Sequence, residues 1–255
     1  MKKKSYLIII WIITLVAIVV GVCINVMGWF NPFIGKTVED EYTFEGKNID
    51  TIIIDADIAD VTFLSGNSLE VVTNYPEKLA PTVSVEGYTI NIQQKVGKWY
   101  NNVGSNKMEI KIIIPSDYTF VKVSTNTDVG DMDISNVNAD VISITANVGD
   151  INSSNISADN MTITSGVGDV KLQNINSTEA AFTLDVGDFE LTSGTIKTVE
   201  VSTDTGDIDL TADFDELDAQ SDVGDIDIHT DRDLDDVKIK AGNDVGDVYV
   251  NGEKW

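Results

Sequence analysis

The sequence predicts an all-β protein: a parallel β-solenoid (β-helix) of about 19-residue coils, preceded by one N-terminal transmembrane helix. Three observations carry this. A tetrapeptide comes back seven times, as Asp128-Val129-Gly130-Asp131, Asn147-Val148-Gly149-Asp150, Gly166-Val167-Gly168-Asp169, Asp185-Val186-Gly187-Asp188, Asp204-Thr205-Gly206-Asp207, Asp222-Val223-Gly224-Asp225 and Asp244-Val245-Gly246-Asp247. Its last residue advances by 19 positions four times running, then by 18 and 22. Behind three N-terminal lysines runs an apolar stretch long enough to span a bilayer.

Lys2, Lys3 and Lys4 precede residues 6–30, which carry no charge and few polar side chains, such as Thr14 and Asn25. Trp11 and Trp29 sit near the ends, where aromatic rings favour the interface. The basic tail, residues 1–5, should stay cytoplasmic and the bulk of the chain should lie outside the cell membrane. A cleaved signal peptide is the competing reading. Its apolar core is usually only about 7–15 residues, and no A-x-A-like site follows here. A lipoprotein site would need a small residue before Cys23, and Val22 is not small.

Residues 31–44, with Pro32, Gly35 and mixed charges, read as a linker. Residues 45–125 hold β-branched, strand-like runs such as Thr51-Ile52-Ile53-Ile54 and Ile110-Lys111-Ile112-Ile113-Ile114. They read as irregular first coils and a cap, with a separate small β-domain as the alternative. Lys95 to Lys107 reads as a loop, and its Trp99-Tyr100 pair either makes a contact site or folds onto the neighbouring strands.

Residues 126–255 form the regular repeats. After the Gly-Asp comes an apolar-x-apolar pair, such as Val170/Leu172 and Ile208/Leu210, broken only in the second copy, which keeps Ile151 but has Ser153; about ten residues later comes a second pair, such as Met161/Ile163 and Val199/Val201. Period-two pairs mean short strands with one face inward. One coil cannot bury these residues, but coils stacked at about 4.8 Å make one continuous core. An immunoglobulin-like sandwich would not keep one 19-residue phase.

The glycine suggests a type II corner, whose third residue needs a positive φ. The Asp or Asn at the first position is suited to bonding the turn backbone. Stacking then makes two ladders: Asp131, Asp150, Asp169, Asp188, Asp207, Asp225 and Asp247, and Asp128, Asn147, Asp185, Asp204, Asp222 and Asp244. Like charges on adjacent strands repel. Either backbone donors or bound cations must offset this, and calcium takes six to eight oxygens of this kind. The period is unlike the nonapeptide calcium repeat. The cluster Asp231, Asp233, Asp235 and Asp236 reads as a solvated loop and, secondarily, a cation site. Trp255 is placed to fold over the open last coil.

Formal net charge is −25, and from residue 126 onward there are 29 Asp and Glu against 6 Lys and Arg. Such a surface repels nucleic acid and anionic lipid and attracts cations and basic proteins, and it also keeps a protein soluble. One cysteine, Cys23, rules out an intrachain disulfide, and one histidine, His229, leaves little for a triad or a histidine metal centre.

An N-terminal anchor followed by GD(I/V)x(I/V) strand repeats resembles the bacterial putative-adhesin family, a domain of unknown function, over roughly residues 45–255. The resemblance implies a non-enzymatic surface module, in some members linked to the Lia envelope-stress systems of Gram-positive bacteria, and brings no catalytic residues. Three functions follow. One is a module binding a cationic peptide or envelope protein on its acidic face. Another is a calcium-stabilised stalk. The third is a polysaccharide-cleaving β-helix enzyme, against which speak the scattered basic residues Lys171, Lys197, Arg232, Lys238, Lys240 and Lys254.

Overall fold

A computed structural model describes residues 36–96 and 107–255. The anchor expected at residues 6–30 and the aromatic pair Trp99-Tyr100 lie outside the described residues. Among the described residues all regular structure is strand, apart from two single 3₁₀ turns at Glu77–Leu79 and Leu234–Asp236, and the strands join into one sheet.

The early strands are β1 (Thr37–Thr43), β2 (Thr51–Ile58), β3 (Asp60–Gly66), β4 (Glu70–Pro76), β5 (Thr82–Glu86), β6 (Thr89–Gln94), β7 (Glu109–Pro115) and β8 (Thr119–Val129). Then come β9 (Met132–Val148), β10 (Ile151–Val167) and β11 (Val170–Val186), each one full coil of 17 strand residues plus the Gly-Asp corner. The later coils are split: β12 (Phe189–Leu191) with β13 (Gly194–Thr205), β14 (Ile208–Thr211) with β15 (Asp213–Val223), β16 (Ile226–His229) with β17 (Lys238–Val245), then β18 (Val248–Val250) and β19 (Glu253–Lys254).

The pairing is parallel from β8 to β18 and in strict register, with Ile151 opposite Met132 and Val170, and Ile163 opposite Ile144 and Phe182. Burial shows why each coil bends. In β9 alternate residues are buried, but the alternation breaks at Ser135-Asn136 and at Asp140-Val141, where two successive residues face outward. With the Gly-Asp corner this gives three flat sides per coil. The apolar pairs of the repeat mark two of them; the single apolar position between the pairs in early copies (Val137, Ile156, Ile175) falls on the third, a short side around Val137 and Ala139, both buried.

The first break has its own ladder. Asn136, Asn155 and Asn174 adopt φ of 58°, 54° and 54°, a left-handed conformation that asparagine tolerates better than most residues. Their amides bond in series: Asn155 Nδ2 donates to Asn136 Oδ1 at 3.0 Å, and Asn174 Nδ2 to Asn155 Oδ1 at 2.8 Å. The core is a set of apolar columns, interrupted by buried Ser153 between Ile134 and Leu172 and widened where Phe182 lies 4.9 Å from Phe189, ring centre to ring centre.

The N-terminal end closes differently. β2 and β3 form a coil beneath β8 and β9, and β6 and β7 run parallel to them on the far side. Beyond that the direction reverses: β4 pairs antiparallel with β7, β1 with β4, and β5 with β6. β1 lies in the stretch expected to be a linker, which corrects that reading. Val38 and Tyr42 face the molecule, while the run Glu39-Asp40-Glu41 on this outermost strand discourages pairing with another chain. At the other end β19 covers the edge of β18, and the Trp255 side chain stays 59% exposed rather than folding over the stack.

Candidate functional site

The site the sequence points to is the recurring corner, which runs down the molecule as four adjacent rows. The glycines take φ between 140° and 154°. This is a positive φ that only glycine adopts readily, but it is far from the roughly +80° of a type II turn, so the turn type is corrected while the need for glycine stands. Stacking adds a second need. A Cβ on Gly149 would lie 2.1 Å from the Gly130 carbonyl oxygen, and one on Gly187 2.1 Å from that of Gly168. The coils can approach only because the side chain is missing.

The corner has a backbone problem, and the second Asp solves it. Gly149 N–H donates to Val167 O, and Ile151 N–H to Asp169 O. The N–H of the residue between them, Asp150, instead donates to Asp131 Oδ1 at 3.0 Å. The same bond joins Asp169 to Asp150, Asp188 to Asp169, Asp207 to Asp188, Asp225 to Asp207 and Asp247 to Asp225, at 2.8–3.1 Å. Each carboxylate thus takes an N–H from the next coil, a charge-assisted bond that offsets the repulsion along the row. Asp247 has no coil above it, and its Oδ1 takes the Lys254 ammonium, which holds its carboxyl below the usual range.

The row has an eighth member that sequence reasoning missed. Asp131 N–H donates to Asp60 Oδ1 at 3.2 Å, and Ala59 N–H to Val129 O, so Asp57-Ile58-Ala59-Asp60 is a first corner without glycine. Its signal was present: an Asp-apolar-small-Asp string followed by Val61 and Phe63. The 71-residue step from Asp60 to Asp131 hid the period. Ala59 keeps a negative φ, and Asp60 N–H finds Met108 O.

The first-position row behaves otherwise. Asp128, Asp185, Asp204, Asp222 and Asp244 are exposed and do not bond the turn as expected. Among the described residues the only side-chain hydrogen bond in this row runs from Asn147 Nδ2 to Asp128 Oδ1, at 2.9 Å. The corner is braced from inside instead: Ser165, Thr203 and Ser221 donate to the carbonyls of Gly168, Gly187 and Gly206 at 3.1–3.4 Å, and Asn243 Nδ2 to Gly224 O at 2.8 Å.

A third acidic column lies on a flat side, where Glu190, Asp209 and Asp227 stand in register. Burial first, then Asp227 and Glu190, raise the Asp209 carboxyl above its ordinary value. Among the described residues no three His, Cys, Asp or Glu side chains are grouped to hold a metal ion. Asp231, Asp233, Asp235 and Asp236 sit on a short turn in which Asp233 caps the Asp235 N–H at 3.1 Å. His229 is exposed, with its Nε2 3.9 Å from Asp231 Oδ1.

The family model described as Toastrack DUF4097 matches residues 49–254. No curated protein matches the chain. Among solved structures, one described as a putative adhesin from Bacteroides fragilis superposes with a TM-score of 0.62 at 22% identity, covering 84% of this chain and 97% of that one. One described as a putative lipid binding protein from Parabacteroides distasonis gives 0.42 at 17%, covering 86% and 96%. One described as a putative cell adhesion protein from Clostridium sporogenes gives 0.41 at 12%, covering 84% and 99%.

Proposed function

The chain belongs to the Toastrack DUF4097 family, and we propose that it is a non-enzymatic binding module of the cell envelope. Residues 6–30 hold it in the membrane, the solenoid stands outside, and a cationic peptide or envelope protein binds its acidic surface.

The observation that carries this is the fixed carboxylate array. Rows of Asp at the coil spacing of about 4.8 Å present charge on a rigid frame, so a basic partner meets it already ordered. From residue 126 the balance is 29 acidic against 6 basic side chains, and several of the basic ones already pair with carboxylates, as Lys240 does with Asp218 at 2.7 Å. An acidic polysaccharide would be repelled by the same surface, which disfavours the polysaccharide-cleaving enzyme. The calcium-stiffened stalk is weakened by the corner bonds, because the Oδ1 atoms of the Gly-Asp row already take N–H donors and need no ion to relieve repulsion. The fold shared with the structure described as a putative adhesin accords with a surface role.

The test is titration of the protein with an oligolysine peptide at rising salt. Binding that weakens steeply with ionic strength is the expected result. No binding at low salt, or binding indifferent to salt, would sink the proposal. Unchanged melting in chelator would dispose of the calcium stalk.

A further inference from the structure

Twelve large hydrophobic side chains are exposed among the described residues, and six of them stand in one column. These are Val129, Val148, Val167, Val186, Val223 and Val245, each 48–62% exposed. They are the second residues of the corner tetrapeptides, stacked in register from coil to coil, with Thr205 filling the remaining place.

The corner does not demand valine. Its main chain is extended there, which suits any β-branched residue. Thr205 makes the same contact as its neighbours: Gly187 N–H donates to Thr205 O at 3.0 Å, just as Gly168 N–H donates to Val186 O at 3.0 Å. A hydroxyl is therefore accepted at this position, and a chain selected only for solubility would carry threonine throughout. An apolar ridge present in six of the seven glycine corners is unexplained by the fold, and contiguous exposed apolar surface is typical of a contact site.

What covers it is set by its borders. One side is the Gly-Asp row, the other the first-position row, continuous in its later part through Asp185, Asp204, Asp222 and Asp244. A second copy of this chain would bring the same carboxylates against them, and an anionic membrane would be repelled likewise. The partner must be apolar along a narrow line and basic on both sides. An amphipathic α-helix has this pattern, with stripe residues recurring about every 5.4 Å, near the coil spacing of about 4.8 Å. An extended strand repeats its same-side residues at about 6.8 Å and fits worse.

We infer that the valine ridge, bordered on one side by the Gly-Asp row and on the other, in its later part, by Asp185, Asp204, Asp222 and Asp244, is a docking surface for a cationic amphipathic helix. This rests on the cationic-partner reading and narrows it to one line on the surface and one shape of ligand.

The experiment uses the full chain in zwitterionic nanodiscs, with empty nanodiscs as the reference. Two Leu/Lys peptides of about 18 residues, or about 27 Å as helix, are compared. They share one composition: in one the leucines form a single helical stripe, in the other they are scrambled. The variant Val148→Thr/Val167→Thr/Val186→Thr keeps the charge and copies a side chain the corner already accepts. It should weaken the striped peptide about tenfold and leave the scrambled one unchanged. Thr205→Val, which completes the ridge, should tighten the striped peptide. If the triple variant and Thr205→Val both bind the striped peptide as wild type does, the ridge is overturned while the acidic-surface reading survives. If neither peptide binds wild type even at low salt, both readings fall.

Discussion

Asp188 Oδ1 takes the Asp207 N–H at 2.9 Å, so Asp188→Ala leaves a main-chain donor without its acceptor. The expected loss is about 1 kcal/mol, read from urea unfolding. Asp188→Asn keeps an acceptor oxygen and relieves repulsion with Asp169 and Asp207, so it should match or slightly exceed wild type. Gly187→Ala is a different case. Its Cβ would sit 2.1 Å from the Gly168 oxygen at a φ of 148°, and a loss above about 3 kcal/mol is expected in the same assay. Asp209 offers a pH test. Its carboxyl is raised in the fold, so its ionised form works against folding at neutral pH, and this cost fades as pH falls through the raised value. Asp209→Asn should therefore raise the urea midpoint at pH 7, and the gain should vanish as pH falls below the ordinary carboxylate range. The need for glycine and the Asp rows were legible from the 19-residue phase. Which carboxylate bonds which donor was not, because local turn rules look inside the tetrapeptide, while the bonds run to a residue one coil away.

The Asn136, Asn155 and Asn174 bend is the element that makes a three-sided coil. Asn155→Ala would lose both ladder amide bonds and force alanine to a φ of 54°, and about 1–2 kcal/mol of destabilisation is expected in chemical denaturation. Asn155→Gly should recover the backbone share of that loss. These asparagines recur with the same period as Gly-Asp, yet apolar columns alone do not mark a corner; two consecutive outward residues do. β1 was hidden for a related reason. Thr37-Val38-Glu39-Asp40-Glu41-Tyr42-Thr43 is too acidic to resemble a core strand, and an outer edge strand is where such a sequence belongs.

Across the whole molecule, eight stacked corners from Ala59 to Gly246 span about 34 Å at the coil spacing. Each coil touches only its neighbours, so stability should be graded. β17 has one pairing partner and no buried residue, whereas β9 to β11 are paired on both sides. Within the parallel coils, hydrogen exchange should therefore reach β17 before β9 to β11, with the end strands β1, β5 and β19, also singly paired and without a buried residue, exchanging early as well; uniform protection along the stack would contradict this. The regular coils could be read from the chain, but the cap could not. β7 is inserted between β3 and β4, which follow each other in sequence, and that order depends on packing rather than on any local pattern. The stacking direction also fixes how the molecule answers a pull. The hydrogen bonds between coils lie along the stack axis, so tension between its two ends loads them coil after coil, as in a zipper rather than a shear joint. Each released coil of 19 residues would lengthen the chain by about 60 Å. Stretched end to end, the protein would yield in a series of small, similar steps instead of one rupture, and so damp a sudden load.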